Sequence, residues 1–169
     1  MNIPILETER LILRPLTLED ADAVFKWVSD ERVTKYMPYN TYTSIDDVTT
    51  WLSTVVKEEN TYNYGFVLKD NNILIGSGDI GYNPEKEAWN FGYNIRYDFW
   101  NHGYATEAAK AMIKFAYEIF NAKCFSANHA IDNPASGRVM EKCGLKFEHY
   151  GEYSKFDGTQ TFKAKFYKG

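Results

Sequence analysis

The sequence predicts an α+β fold in three α/β/α layers, with helices on both faces of a mixed, mostly antiparallel central sheet of about seven strands. Local patterning indicates elements in the order βααβββαβαββ. Short turns join the three middle strands into an antiparallel meander, and two strand–helix units follow, whose strands should run parallel. The 169 residues contain no repeat and no Pro-, Gly- or Ser-rich linker, which predicts a single domain over residues 1–169.

The first third of the chain is predicted to form one strand and two helices. Arg10–Leu16 alternates and is rich in branched residues, which indicates a strand. Thr17 is suited to cap the following helix, with Asp20 three residues later as in a capping box. The second helix is expected to begin near Ser44. Between the helices, the aromatic connector YMPYNTYT is too rich in Tyr and Pro to be helical.

The remainder of the chain supplies six strands and two helices. The meander strands and the strand after the first of these helices are predicted at residues 64–70, 73–83, 87–97 and 123–131. Helices are predicted from about Tyr104 to Phe120 and from Pro134 to Cys143, with Gly144 just past the end of the second. The last two strands, LKFEHYGEY and QTFKAKFYK, are separated by an Asp-Gly turn.

Composition excludes several classes of function. A net charge of −4 and a pI near 5.4 argue against a nucleic-acid partner, which would favour a basic face. No apolar run approaches the roughly 20 residues that cross a bilayer, and the N-terminus lacks a signal-peptide pattern, so we expect a cytoplasmic protein with no membrane partner. Two cysteines and three histidines show neither a disulfide framework nor metal-ligand spacing, so we expect no metal. The oligomeric state is left as monomer or homodimer.

The segment WNHGYATEAAK contains the ingredients of an anion site. The first turn of a helix leaves N–H groups unpaired at its positive end, and Gly103 removes the side chain where a ligand would touch backbone. Taken alone, these residues are better explained as an ordinary helix start, because a single glycine is weak evidence for an anion site. Asn133 and Ser136, however, begin the next helix after a strand, which should place them at the same rim of the sheet as Gly103 and form a crevice there.

These two segments together resemble the GNAT superfamily of N-acetyltransferases. YNIRYDFWNHGYATEA followed by NPASGRVMEKCGLKF is similar to the branch of ribosomal-protein alanine N-acetyltransferases and their small-substrate relatives. The family's acyl-CoA signature is Q/R-x-x-G-x-G/A, and here Trp100 stands in the first place, as that branch commonly has. The opening ETERLILRPLTLEDA is also similar. The resemblance covers nearly the whole chain and implies the acyl-CoA N-acyltransferase fold.

The resemblance implies that acetyl-CoA is the acyl donor. The backbone from Asn94 to Tyr97 would pair with the pantetheine arm, and the N–H near Ile95 would polarise the thioester carbonyl as an oxyanion hole. The backbone amides of His102–Thr106 would hold the pyrophosphate. The implied cofactor-binding residues are Asn94, Ile95, Arg96, Tyr97, Trp100, Asn101, His102, Gly103, Tyr104, Ala105, Thr106, Asn133 and Ser136.

The resemblance specifies the catalytic groups less fully than the cofactor-binding residues. Many superfamily members have a Tyr where this chain has Met140, which cannot donate a proton, and Ser136 is therefore the implied partner of the departing thiolate. The position where the branch often has an acidic residue is occupied by Asn90, whose amide cannot act as a base. The alternatives for the base are the carboxylates of Asp79, Glu87, Glu9 and Glu152, each of which is also explained as a solvated surface group.

The expected reaction is transfer of an acetyl group from acetyl-CoA to a primary amine, which is a protein N-terminus or a small molecule. Tyr36, Tyr39 and Asn90 are the predicted acceptor-site residues, although the connector tyrosines are equally explained as packing between helices and sheet. A non-catalytic acyl-CoA-binding or regulatory module is the alternative that Met140 and Asn90 favour. A third hypothesis is a scaffold or interaction domain that uses exposed tyrosines to contact its partners.

Overall fold

The chain folds around a single sheet of eight strands. The computed structural model describes residues 2–169, and residue 1 of the predicted domain lies outside that range. The strand order across the sheet is β1-β2-β3-β4-β5-β6-β8-β7. The strands are β1 Leu6–Glu7, β2 Leu11–Pro15, β3 Thr61–Leu68, β4 Leu74–Asn83, β5 Ala88–Ile95, β6 Phe125–Ala130, β7 Lys146–Ser154 and β8 Thr161–Lys168. The helices are α1 Ala21–Val28, α2 Glu31–Thr34, α3 Ile45–Val55, α4 Tyr104–Phe120 and α5 Pro134–Lys142.

The predicted order of strands and α-helices is confirmed, with two short additions. β1 contains only two residues and pairs antiparallel with β2, so it gives no periodic signal. It raises the strand number from the expected seven to eight. α2 is a four-residue helix inside the stretch between the two predicted helices, capped by the Asp30 carboxylate, which accepts a hydrogen bond from the Arg32 N–H at 3.0 Å.

Helices cover both faces of the sheet, as predicted. On one face, α4 and α5 bury a core that includes Phe66, Met112 and Met140. On the other, α1 and α3 pack Trp27 and Leu52 onto the part of the sheet nearest the start of β4. Because α1–α3 cover only that part, the rest of the second face lacks a covering helix.

The parallel pairing expected for the strand–helix units occurs between β5 and β6. Its ladder is short and comprises only the pairs Trp89–Phe125 and Asn90–Ser126. The second unit differs, because β8 inserts between β6 and β7 and pairs antiparallel with both. β6 and β7 therefore run parallel to each other but are not hydrogen-bonded neighbours.

No helix within residues 2–169 is both long and apolar enough to cross a membrane.

Candidate functional site

β5 and β6 diverge after their two pairs and leave a gap at their carboxyl ends. The Arg96 N–H donates to the Ile75 carbonyl of β4 at 2.7 Å, so even-numbered residues of β5 direct their backbone groups toward β4. The odd-numbered residues Tyr93 and Ile95 direct their N–H groups to the opposite side, where pairing with β6 has ended. Two backbone donors therefore face the gap.

Asn94 is directed to β4 rather than to the gap. Its backbone pairs with Ser77 in the β4 register, and its side-chain NH₂ donates to the Ser77 carbonyl and hydroxyl, both at 2.9 Å. The Asn94 amide oxygen accepts from the Tyr39 hydroxyl at 2.5 Å. The main-chain N–H groups that can meet a ligand arm are therefore those of Tyr93 and Ile95.

The segment after β5 is held in shape by contacts among its own residues. The Trp100 indole N–H donates to the Ile95 carbonyl at 2.7 Å, and its ring lies against Tyr97 with centroids 4.9 Å apart. Arg96 forms an ion pair with Asp98 at 2.8 Å. These contacts fix the direction in which the chain enters the turn before α4.

That turn uses two left-handed residues in close succession. Asn101 has φ of 62° and Gly103 has φ of 81°, a region that favours Asn and Gly. His102 contacts the Trp100 carbonyl through Nδ1 at 2.7 Å and stacks on Tyr104 with centroids 5.6 Å apart. The His102 ring therefore supports the turn rather than projecting freely from it.

The first turn of α4 supplies backbone donors at the mouth of the gap. The Glu107 N–H is the first to bond within the helix, to the Gly103 carbonyl at 3.1 Å. The preceding helical N–H groups have no intrahelical acceptor, and they belong to Tyr104, Ala105 and Thr106.

The start of α5 approaches the gap from the β6 side. Asn133 occupies the N-cap position, but its side chain makes no capping hydrogen bond and so remains available to a ligand. Gly137 permits close packing on β6, because a Cβ there would lie 2.6 Å from Nε2 of the buried His129. Alanine at this position would require the His129 side chain or the helix to shift.

Tyr93 connects the two sides of the gap. Its hydroxyl lies 2.7 Å from the Ser136 hydroxyl and 3.2 Å from the Ser136 carbonyl. Burial raises the pKa of the Tyr93 phenol well above its usual value, so the group remains protonated. Local sequence patterns contain no signal for Tyr93, because the contact joins residues 43 positions apart.

The uncovered part of the second sheet face is polar. Asp79 pairs in register with Gly92, and Asn90 lies two residues from Gly92 on the same face. The Asn90 amide oxygen accepts from the Ser126 hydroxyl at 3.2 Å. Asp79 and Asn90 line a cavity of about 390 Å³, together with Thr61 of β3, Gly81, Tyr82 and Asn83 of β4, and Pro84 and Glu85 of the β4–β5 turn.

Asp79 differs electrostatically from the other carboxylates considered. It is half-buried, and among residues 2–169 its carboxylate accepts no hydrogen bond. Its Oδ1 lies 3.5 Å from where a Cβ of Gly92 would be, so it leans over β5 where that strand has no side chain. Burial raises the pKa of Asp79 from 3.8 to about 6. Glu9, Glu87 and Glu152 are exposed, as expected for solvated groups.

The aromatic connector is anchored to the β7–β8 hairpin. The buried Lys155 donates to the carbonyls of Thr34 (3.0 Å) and Tyr39 (2.9 Å). The Tyr153 hydroxyl donates to the Tyr36 carbonyl at 2.6 Å. A second cavity of about 340 Å³ lies beside this junction, with the lining residues Pro38, Tyr39, Asn40, Thr41, Tyr42, Thr43, Asp47, Phe156 and Asp157.

The three predicted acceptor residues separate into two groups. Tyr39, which reaches Asn94, and Asn90 border the same polar sheet face. The Tyr36 ring packs against Phe162 of β8 with centroids 6.0 Å apart and lines neither cavity. Packing thus accounts for the Tyr36 ring.

Within residues 2–169, no three His, Cys, Asp or Glu side chains come together in a group that would hold a metal ion.

A sheet that opens between two parallel strands, with free backbone donors in the gap and a left-handed turn before a helix at its mouth, defines the class of acyl-CoA-dependent acyltransferases. Residues 10–146 match the family model described as an acetyltransferase (GNAT) domain. The chain therefore belongs to the GNAT family and is an acetyl-CoA-dependent N-acetyltransferase.

Individual relatives agree with this assignment. The chain is 30% identical to the uncharacterized N-acetyltransferase YoaA of Bacillus subtilis (strain 168) over 160 residues, which cover 86% of this chain and 84% of the relative. A GNAT-family acetyltransferase from Bacillus anthracis superposes with a TM-score of 0.85 at 26% identity and 98% coverage of both chains. RimL, a ribosomal L7/L12 alpha-N-protein acetyltransferase in complex with coenzyme A, has a TM-score of 0.83 at 16% identity, with coverage of 98% and 97%, and shares the fold.

Proposed function

We propose that this protein transfers an acetyl group from acetyl-CoA to a primary amine, at a protein N-terminus or on a small molecule, by direct attack on the thioester. The observation that carries this proposal is the half-buried Asp79, with its pKa raised to about 6, on an open polar face beside the gap where Tyr93 and Ile95 direct their N–H groups. A base and an oxyanion site thus border the same opening.

The acyl donor fits the gap between β5 and β6. The pantetheine arm would pair with the free N–H groups of Tyr93 and Ile95, and the Ile95 N–H would stabilise the developing oxyanion. The amides from His102 to Thr106 would hold the pyrophosphate at the positive end of α4. Asn133 supports the same placement, because its amide is not engaged in capping α5.

Asp79 is the proposed general base. A carboxylate with a pKa near 6 is mostly ionised at pH 7 and still basic enough to accept a proton in the transition state. Gly92, over which Asp79 leans, is three residues from Ile95, a separation of about 10 Å along an extended strand. That distance accommodates the acceptor amine and one bridging water, so the proton would leave the amine through water.

The departing thiolate would be stabilised by Ser136. A simple thiol has a pKa of about 8.5, so it needs only a weak hydrogen-bond donor to leave. The hydroxyl of Ser136 supplies one, and Tyr93 in turn orients it at 2.7 Å. Because the pKa of Tyr93 is raised further above that of the thiol, Tyr93 would act as a neutral hydrogen-bond donor and would not lose its proton.

A positively charged amine is the acceptor that the open face favours. The ionisable side chains of its cavity are the carboxylates Asp79 and Glu85 and the phenol of Tyr82. Asn90 and Tyr39 border the face and would contribute hydrogen bonds to the acceptor, and Tyr36 would act only by holding the connector. RimL, which shares the fold, is an alpha-N-protein acetyltransferase, so protein N-termini are among the acceptors to be tested.

Residues 1–169 would form one N-acetyltransferase domain that acts in the cytoplasm. One sheet extends from Leu6 to Lys168, which supports a single domain. The alternative is a non-catalytic acyl-CoA-binding module, which is favoured by the absence of a proton donor at Met140 and of a base at Asn90. Asp79 weakens that alternative because it would supply a base, and the Tyr93–Ser136 pair does so because it would supply a hydrogen-bond donor for the thiolate.

The test is release of free CoA thiol from acetyl-CoA in the presence of an amine panel: an alanine-initiated peptide, a serine-initiated peptide, spermidine and a neutral N-acetylated control peptide. We expect thiol release that depends on at least one free amine and is absent with the acetylated peptide. Acetyl-CoA binding by calorimetry without turnover on any amine would favour the non-catalytic module. No binding at millimolar acetyl-CoA would refute both.

Replacing Ser136 with alanine should lower kcat/KM for acetyl-CoA about tenfold, because the thiolate loses a hydrogen bond. Tyr93→Phe should lower kcat/KM by a smaller factor. The double variant should lower kcat/KM little more than Ser136→Ala does, because the Tyr93 hydroxyl acts only by orienting the Ser136 hydroxyl. Steady-state kinetics of the three variants measure this. Tyr64→Phe is a matched control, since it removes a hydroxyl bonded to the Pro4 carbonyl at 3.0 Å. Additive losses would contradict this orienting role of Tyr93.

A further inference from the structure

The turn between β1 and β2 contacts the start of α4 through side chains far away in sequence. The Thr8 hydroxyl donates to Glu107 Oε2 at 2.6 Å, and the Arg10 backbone N–H donates to the same oxygen at 2.9 Å. The Arg10 guanidinium lies over the Tyr104 ring, 4.4 Å from its centroid. This turn therefore lies against the proposed pyrophosphate site, although the acyl-CoA signature does not include it.

The donors of Arg10 are only partly used. Nε donates to Glu107 Oε1 at 2.8 Å, and Nη1 donates to the His102 carbonyl at 2.9 Å. Among residues 2–169, Nη2 has no acceptor, and it lies 3.4 Å from where a Cβ of Gly103 would be. The side chain is 42% exposed. A charged, fixed fork thus presents free N–H groups at the corner of the turn.

The negative charge of Glu107 would oppose anion binding at the start of α4 unless a cation such as Arg10 lay beside it. Burial alone would raise the pKa of Glu107, but hydrogen bonds from Thr8 and Arg10 outweigh it and lower the pKa below its usual value. Glu107 is therefore ionised in the first turn of α4, where its negative charge would repel a phosphate. Arg10 neutralises that charge and still has donors in excess.

We infer that Arg10 is a pyrophosphate-binding residue of the acetyl-CoA site, contributed by the β1–β2 turn, whose free Nη2 group donates to a phosphate oxygen while Nε and Nη1 hold Glu107 and the His102 carbonyl. This inference rests on the proposed function, which places the pyrophosphate at the start of α4. A planar guanidinium held by two other bonds is well suited to bind phosphate at a fixed position.

The experiment compares two ligands on the intact chain by calorimetry. Acetyl-CoA contains the pyrophosphate, whereas S-acetylpantetheine has the same thioester and arm but ends before it. Arg10→Met should weaken acetyl-CoA binding about tenfold to a hundredfold and change S-acetylpantetheine binding by less than about twofold. Arg10→Lys, which keeps the charge without the fork, should show a smaller loss for acetyl-CoA only.

Salt dependence provides a second measurement that needs acetyl-CoA alone. The affinity of Arg10→Met should fall less steeply with ionic strength than that of the wild type, because one charged contact has been removed. A residue that merely braces the turn could also weaken acetyl-CoA selectively, because the turn itself would bind the pyrophosphate, but it would leave the salt dependence unchanged. An unchanged salt dependence, equal weakening of both ligands, or an unchanged acetyl-CoA affinity would overturn the inference.

Arg14→Met is the matched control. Arg14 lies on the adjoining strand and pairs with Asp20 through two contacts of 2.9 Å, with similar exposure. Its loss should lower the melting temperature without changing the ratio of the two affinities. Wild-type protein that fails to bind acetyl-CoA would refute the proposed function itself, which distinguishes that failure from the failure of Arg10.

Discussion

Replacing Gly103 with glutamate should abolish measurable acetyl-CoA binding, with a loss of about a hundredfold or more. Gly103 has φ of 81° and lies directly before the free N–H groups of α4. A glutamate there would place a carboxylate beside the pyrophosphate, and like charges about 4 Å apart repel by roughly 1–4 kcal/mol at a protein surface. It would also compete with the phosphate for Arg10, whose Nη2 is 3.4 Å from the Cβ position. Calorimetric titration with acetyl-CoA measures the effect.

Backbone strain is the competing explanation, and Gly144→Glu controls for it. Gly144 has φ of 91°, follows the end of α5, and would give a Cβ no neighbour within 4 Å. Both substitutions should lower stability by a similar amount, roughly 1–2 kcal/mol for a left-handed non-glycine residue. Acetyl-CoA binding should be lost only in Gly103→Glu. Equal affinities in the two variants would remove the anion site from α4.

Replacing Asp79 with asparagine should lower kcat about 10²- to 10⁴-fold while leaving acetyl-CoA affinity nearly unchanged, because a general base acts on the acceptor amine. The wild-type rate should fall tenfold per pH unit below about pH 6, following the raised pKa of Asp79. Rates across pH 5–9 with a saturating amine test both expectations. Glu85→Gln, which removes another carboxylate from the same cavity, should retain the acid limb of the profile.

The same substitution should stabilise the protein above pH 6. The folded-state pKa of Asp79 exceeds its ordinary value of 3.8, so the folded state is penalised as pH rises from about 4 to beyond 6. The penalty is on the order of 3 kcal/mol at neutral pH. Asp79→Asn should therefore melt several degrees higher than the wild type at pH 8 and at about the same temperature at pH 4. Lower activity without this stability difference would indicate damage to the fold.

Much of the fold was predictable because its signals are local. Ser44 caps α3 by accepting from the Asp46 N–H at 3.1 Å, and Gly144 follows α5 with a positive φ, as the sequence indicates. The parallel pairing of β5 and β6 follows from the helix that connects them. β1 was missed, because a strand of two residues has no periodicity and is defined only by its partner.

The candidate site was predictable in part. The turn around Gly103 and the start of α5 at Asn133 are contiguous motifs, and both border the gap. Tyr93 was missed because its role comes from a contact with Ser136, and no spacing along the chain encodes it. Asp79 was one carboxylate among several, since the sequence does not show which of them loses solvent.

The sequence by itself determined the family, the layer order, and the helix start that would bind the acyl donor, because propensity, capping and motif are properties of neighbouring residues. Only the tertiary structure decided which carboxylate is basic, which amides are free, and that Arg10 lies against Gly103. Those properties depend on desolvation, on where the β5–β6 ladder ends, and on side chains that fold together from residues about 90 positions apart. Burial and distance, unlike local pattern, exist only once the chain has folded.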